Sequence, residues 1–340
     1  MVLQNRYITV KKTILKISTL ALAISSFNAF ADAKPAVIYD TAGKFDKSFN
    51  EAVYQNGVKV MAAEGTEVRE FEPQNEAQRE QGLRRLASRG FTPIVAVGFN
   101  MSSAVEKVAT EFPDIHFTII DSVVDKPNVQ SIVFKEHEGS FLVGALAAKA
   151  SKTNAVGFVG GMDIPLIRKF QCGYEQGAKY ANPDITVLQN MTGSTPAAFA
   201  DPAKGSELAK SQFSKGVDVI YAAAGGTGMG VYQAAKDAGK LAIGVDSNQN
   251  HLQPGTMLTS MVKLVGAASV ETWKEEMNGT WKPGIKALGL KENMVDWAYD
   301  DNNKSLITDE MKAYMDTLKA DIIAGKIKIH DYMSNNKCEY

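Results

Sequence analysis

Short apolar runs alternate along the chain with longer stretches of helical periodicity, the pattern of parallel strands joined by helices. Val37–Asp40 reads as a strand, and a helix follows from Ser48 to about Glu64, with Ser48 and Glu51 spaced as a capping box. Ile94–Gly98, Phe117–Asp121 and Ser131–Phe134 continue as strands, with a helix over about Ser102–Glu111 and another over about Gly139–Ala150. The alternation then starts again at Asn154. Strands are predicted at Ala155–Val159, Ile185–Gln189, Val217–Ala223 and Leu241–Asp246, and helices over about Leu166–Ala181, Gly205–Lys215 and Gly230–Ala238. A strand at Met257–Val262, a helix over about Gly266–Met277, a segment near Met294–Tyr299 and a helix over about Asp309–Ala324 complete the pattern.

Two consecutive α/β series of similar size imply two doubly wound parallel-sheet lobes joined by a hinge. The first lobe is expected over 34–134 plus about 257–288, and the second over 135–250 plus about 289–340, with hinge crossings near Phe134 and Asn250. A length of 340 residues suits two domains of ordinary size.

The beginning of the chain differs from the rest. Residues 1–31 contain Arg6, Lys11, Lys12 and Lys16 and no acid, then the apolar run Ile17–Ile24, then Ala29-Phe30-Ala31. A basic start, a short apolar core and an A-x-A site are the parts of a secretory signal peptide, with cleavage expected near Ala31 or after Ala33. The run falls short of the roughly 20 residues that cross a bilayer, so no direct membrane insertion is expected. The nearest cysteine is Cys172, so no lipid attachment is expected at the site. The periplasm is the expected compartment, where Cys172 and Cys338 could pair or remain separate thiols.

Charge sharpens this picture. The whole chain carries 37 Lys+Arg against 38 Asp+Glu. Loss of residues 1–31 takes four of the basic residues and none of the acidic ones, leaving 309 residues at net −5. No basic excess marks a nucleic-acid partner. Hydrophobic residues at 45% and charged residues at 22% describe an ordinary globular protein.

In open α/β sheets, ligands bind beyond the carboxyl ends of the strands. Asp40, Asp121 and Asp246 each end a predicted strand, and Gly225 follows another. Phe49 and Asn50 open the helix after the first strand, at the same edge, where Phe49 is either an N-terminal core residue or a stacking platform for a flat ligand. The run Gly225–Gly230, with Asp246 beyond it, imitates a dinucleotide-binding fingerprint, but Val231 stands where the third glycine belongs. His116, His137, His251 and His330 lack metal-ligand spacing, and no nucleophile elbow is present. Neither a catalytic set nor a metal or cofactor is expected.

Several blocks, taken in order, resemble the basic membrane protein family of purine-nucleoside-binding proteins of ABC transporters. They are Asp40–Asn50, Phe199–Gly205, Ala224–Gly230, Gly244–Asp246 and Leu258–Lys263, with Ser48-Phe49-Asn50 the most specific piece. The resemblance implies a type I periplasmic-binding fold that closes on its ligand and hands it to a membrane permease. It further implies that Phe49 and Phe199 sandwich the base and that Asp121 bonds the purine edge, with Ser48, Asn50 and Asp40 beside it. Asp246 and Lys263 would hold the ribose hydroxyls, and Gly225 would line the sugar side. A sugar or other small polar molecule is the alternative ligand, and an exported nucleoside-processing enzyme a more distant one.

Overall fold

The computed structural model describes residues 33–339, so the expected signal peptide and its cleavage site at Ala31 lie outside the described residues. In chain order the first elements are β1 (Ala36–Ile38), α1 (Phe49–Val53), α2 (Lys59–Ala63), β2 (Arg69–Phe71), α3 (Glu76–Ala87) and β3 (Ile94–Ala96). A π-helical turn, Tyr54–Val58, links α1 to α2. Then follow α4 (Ser102–Glu111), β4 (Phe117–Ile120) and β5 (Val129–Phe134). The second series is α5 (Glu136–Ala150), β6 (Ala155–Met162), α6 (Pro165–Ala181), β7 (Thr186–Gly193), α7 (Pro202–Ser214), β8 (Val219–Ala223), α8 (Gly228–Asp237), β9 (Leu241–Asp246) and β10 (Met257–Lys263). The chain closes with α9 (Val265–Met277), β11 (Gly284–Leu288), β12 (Val295–Trp297) and α10 (Asp309–Ile323).

These strands form two six-stranded sheets, ordered β11-β5-β4-β3-β1-β2 and β12-β10-β9-β8-β6-β7. All neighbours are parallel except β12, which runs antiparallel to β10. The central strands are apolar throughout because helices cover both faces: Ala36, Val37 and Ile38 are fully buried, and so are Val219 to Ala222. This is the two-lobed α/β architecture that the alternating pattern predicts.

Two expectations need correcting. The strand ending at Lys263 belongs to the second sheet, paired with β9 and β12, and not to the first lobe. The chain therefore crosses between the lobes after Phe134, after Lys263 and after Leu288, and not near Asn250. The reason lies in the ladder: β10 continues the parallel register beside β9 from Met257 to Val262, so the crossover waits until that register is complete. Each lobe also takes over the helix that follows the other's fifth strand. After β5, α5 packs in the second lobe, where α10 also rests; after β10, α9 returns to the first, where Trp273 donates to the Ala36 carbonyl at 3.3 Å.

Three elements carry no clear sequence pattern. The edge strands β2 and β11 are largely exposed, and α3 is mostly polar, so none shows an apolar run. Within the second lobe, a disulfide joins Cys172 of α6 to Cys338 across 166 residues. Gln176 bonds the His330 backbone twice and fixes the same tail. Among the described residues, no helix is long and apolar enough to cross a membrane.

Candidate ligand-binding site

The carboxyl ends of β1, β3 and β4 in one lobe face those of β8, β9 and β10 in the other across a cavity. Eight of the nine expected residues line it: Asp40, Phe49, Asn50, Asp121, Phe199, Gly225, Asp246 and Lys263. Ser48 is the exception. Its hydroxyl donates to Asp246 Oδ2 at 2.5 Å and so connects the two lobes at the edge of the cavity.

That bond explains why the expected capping box is absent. Ser48 makes no side-chain cap to α1. Asp46 caps instead: its carboxylate accepts from the backbone N–H groups of Ser48, Asn50 and Glu51 at 2.9, 2.9 and 3.1 Å. The two oxygens of one carboxylate accept from three orphan donors at once, leaving Ser48 free to reach across. Asn50 is then locked, donating its side-chain amide to Asp46 at 3.0 Å and accepting from the Asp40 backbone N–H at 3.0 Å. Burial pushes the Asp46 carboxyl up to about 6 against these hydrogen bonds. Asp40 accepts from Asn100 at 3.2 Å and lies 3.7 Å from the Arg79 guanidinium.

The opposite wall centres on Lys263, whose side chain is 1% exposed. Its ammonium donates to Asp121 Oδ2 at 2.6 Å and pairs with Glu136 at 2.9 Å. The rings of Phe49, Phe134 and Phe170 surround it at 5.2, 5.0 and 5.5 Å. Burial alone would lower its pKa, but Asp121, Glu136 and Asp246 outweigh burial and hold it protonated. Burial raises Asp121, with Lys263 opposing, and raises Asp246, with Lys263 and Ser48 opposing. Asp121 lines the cavity, and its Oδ1 is buried without a hydrogen-bond partner. Both Asp121 and Asp246 sit at positive φ, 68° and 66°, a conformation that turns each side chain off its strand end and that only a fixed surrounding sustains.

Phe199 lies on a 3-10 turn, Pro196–Phe199, and packs onto Gly161, where an added Cβ would collide with its ring. The glycines of the false dinucleotide motif have a packing role. Gly230 lies against the Pro202 carbonyl, where no side chain fits, so α8 can approach α7 closely. His116 is likewise taken up by structure, stacked on Trp281 at 4.0 Å and 2.7 Å from Glu276.

The structure adds lining residues that sequence reasoning missed, among them Asp46, Phe99, Leu166, Phe170 and Pro196. Phe170 reads as the core face of α6, and nothing in its spacing separates that from a cavity wall. Asp46 did leave a signal, because an Asp two residues before Ser48 is an alternative cap. A cavity with several aromatic rings, four carboxylates and one buried ammonium can hold a flat molecule with hydrogen-bonding edges.

Comparison with known proteins agrees with this description. Residues 33–332 match a family model described as ABC transporter substrate-binding protein PnrA-like. The ABC transporter nucleoside-binding protein BmpA of Lactococcus lactis is 32% identical over 356 residues, covering 94% of this chain and 99% of that protein. Basic membrane protein A of Borreliella burgdorferi is 33% identical over 323 residues, 92% of this chain and 93% of the relative. An uncharacterised lipoprotein of Pyrococcus abyssi is 34% identical over 278 residues, 77% of this chain and 68% of its own length. Its name runs against the expectation of a member without lipid attachment, which rests on the N-terminal sequence of this chain alone. Among solved structures, an ABC transporter solute-binding protein from Aeropyrum pernix superposes with a TM-score of 0.80 at 28% identity, covering 89% of this chain and 95% of that one. The fold is that of the two-lobed solute-binding proteins.

Proposed function

The chain belongs to the PnrA-like family of ABC transporter substrate-binding proteins, and we propose that it captures nucleosides, purine nucleosides above all, between its two lobes. The observation that carries this reading is the pairing of aromatic rings with carboxylates in one cavity: Phe49 and Phe199 with Asp40, Asp121 and Asp246. A purine presents two π-faces and a hydrogen-bonding edge, and stacking on an aromatic ring contributes about 1–3 kcal/mol per base. An ionised carboxylate accepting from a ribose hydroxyl contributes roughly 1.5–3 kcal/mol. Two such bonds added to stacking on both faces are of the same size as the roughly 4–15 kcal/mol that association costs. In this reading Asp121 takes the base edge through its free oxygen, while Asp246 and Lys263 take the ribose. The name of the Lactococcus relative supports the same ligand class.

Capture is coupled to closure. Ser48 to Asp246, and Gln249 to the Lys47 carbonyl at 2.7 Å, bridge the lobes, and a ligand touching both walls favours that closed state. The closed form is what a permease of the transporter would recognise from the periplasmic side, after export behind the N-terminal signal. No catalysis accompanies capture.

Native mass spectrometry of freshly purified protein, followed by calorimetric titration, tests the proposal. We expect a mass shift equal to a nucleoside, and affinity falling from inosine or adenosine to the 2′-deoxynucleoside to the free base. A mass shift equal to a hexose, or equal affinity for adenosine and adenine, would sink it. Free base accumulating from inosine would turn the protein into an enzyme.

A further inference from the structure

Lys263 is the only buried ammonium among the residues lining the cavity, and its partners are unequal. Asp121 comes from the other lobe and shares the cavity with it. Glu136 does not line the cavity at all; it is the first residue of α5, directly after the first crossing between the lobes. Its side chain is 1% exposed and stands between two ammonium groups, 2.9 Å from Lys263 and 3.1 Å from Lys169. Lys169 is held in turn by the Phe134 carbonyl at 2.6 Å and by Asp331 at 3.5 Å. A row of alternating charge therefore runs from the cavity wall, through the hinge, to the C-terminal segment.

An ammonium in such surroundings must be paired, because a lone buried charge costs several kcal/mol. If Asp121 were its sole partner, Lys263 would occupy that carboxylate fully, and every ligand would have to break a buried ion pair. Glu136 removes this competition by giving Lys263 a partner that never meets the ligand. Lys169 in turn balances Glu136, so that Glu136 adds no unpaired negative charge behind the wall. We infer that Glu136, clamped between Lys263 and Lys169, is a positioning residue for ligand capture: it holds the Lys263 ammonium so that Asp121 keeps an oxygen free for the ligand. The inference rests on the proposed roles of Lys263 and Asp121 at the cavity.

A double-mutant cycle tests it. Inosine affinity is measured by calorimetry for the wild type, Glu136→Gln, Lys263→Met and the double variant. Glu136→Gln should weaken binding on the order of tenfold to a hundredfold, and the double variant should match Lys263→Met within about twofold. Equal losses from Glu136→Gln with and without Lys263, or no loss at all, overturn the inference. Glu136→Asp keeps the charge and decides the matter should Glu136→Gln not fold: it should bind more weakly than the wild type, and unchanged affinity overturns the inference. A ligand-free measurement separates this from the nucleoside proposal. The Lys263 ammonium should give a protected side-chain signal in the 15N NMR spectrum of the wild type that shifts in Glu136→Gln as the ammonium is drawn onto Asp121, and an unshifted signal overturns the inference. A wild type that binds no nucleoside refutes the ligand class, while that signal alone still decides the role of Glu136.

Discussion

The two lobes share one strand order but use it differently. In each sheet the third strand of its series leads to a glycine at positive φ, Gly98 at 99° and Gly225 at 55°, and the fourth to an aspartate at positive φ, Asp121 and Asp246. The same aspartate conformation is thus built twice at facing positions, although no repeat is visible in the amino-acid sequence. The partners diverge. Asp121 of the first lobe accepts the ammonium of Lys263 from the second, whereas Asp246 of the second accepts the hydroxyl of Ser48 from the first. The scaffold sets where a carboxylate stands, and the opposite lobe sets what it does. A duplicated fold can in this way make an asymmetric site, with an ion pair at one end and a carboxylate–hydroxyl pair at the other.

The lobes also differ in how they are held, and this gives the largest expected effect. The disulfide lies wholly in the second lobe and closes a long loop, for which chain-entropy arguments give about 2–5 kcal/mol. Replacing Cys172 and Cys338 by serine should lower stability by that amount. Hydrogen exchange should place the loss in α6 and the tail while β1 and α9 keep their protection. Equal loss of protection in both lobes would show that they unfold as one unit and would break the comparison at its root.

A second effect, of about 1–3 kcal/mol, concerns the site. If Phe49 and Asp121 of the first lobe read the base and Asp246 of the second reads the sugar, Phe49→Ala should weaken inosine and 2′-deoxyinosine by the same factor. Asp246→Asn should weaken inosine more and so reduce the preference for ribose. The opposite assignment, with Phe49→Ala changing that preference and Asp246→Asn sparing it, would exchange the roles of the lobes.

How much of this was legible follows from the kind of residue involved. Asp40, Asp121, Asp246 and Gly225 could be read because parallel strands deliver their carboxyl ends to one edge, a rule of backbone topology. Lys263 could not be placed that way. It came from a family resemblance, and the strand it ends was assigned to the wrong lobe, since an apolar run does not say which sheet receives it. Glu136 and Phe170 were invisible for a different reason. An acid in the first turn of a helix and a ring on its apolar face are the commonest residues at such positions, and only the packed structure shows what they touch. The capping box failed because Ser48 had two possible partners, and the distant Asp246 outcompeted the local one once Asp46 had satisfied the helix.

The smallest effect sharpens the comparison most, because it assigns a titration to one lobe. Burial, opposed by Lys263, pushes the Asp121 carboxyl up to about 6. A ligand N–H can be accepted by the ionised form, so binding favours loss of that proton. Affinity for inosine should therefore rise with pH through about 6 and level off above it, with a slope of at most about tenfold per unit. Asp46 is raised to a similar value, yet its oxygens are already taken by the N-terminus of α1, so the ligand leaves its titration alone. Calorimetry between about pH 5 and 8 should show the rise in the wild type and a flat profile in Asp121→Asn. The control is 2′-deoxyinosine, which keeps the base edge and lacks one sugar hydroxyl. If the slope persists with it, the proton belongs to Asp121 and the first lobe; if the slope vanishes, it belongs to Asp246, and the titrating end of the site has been put in the wrong lobe.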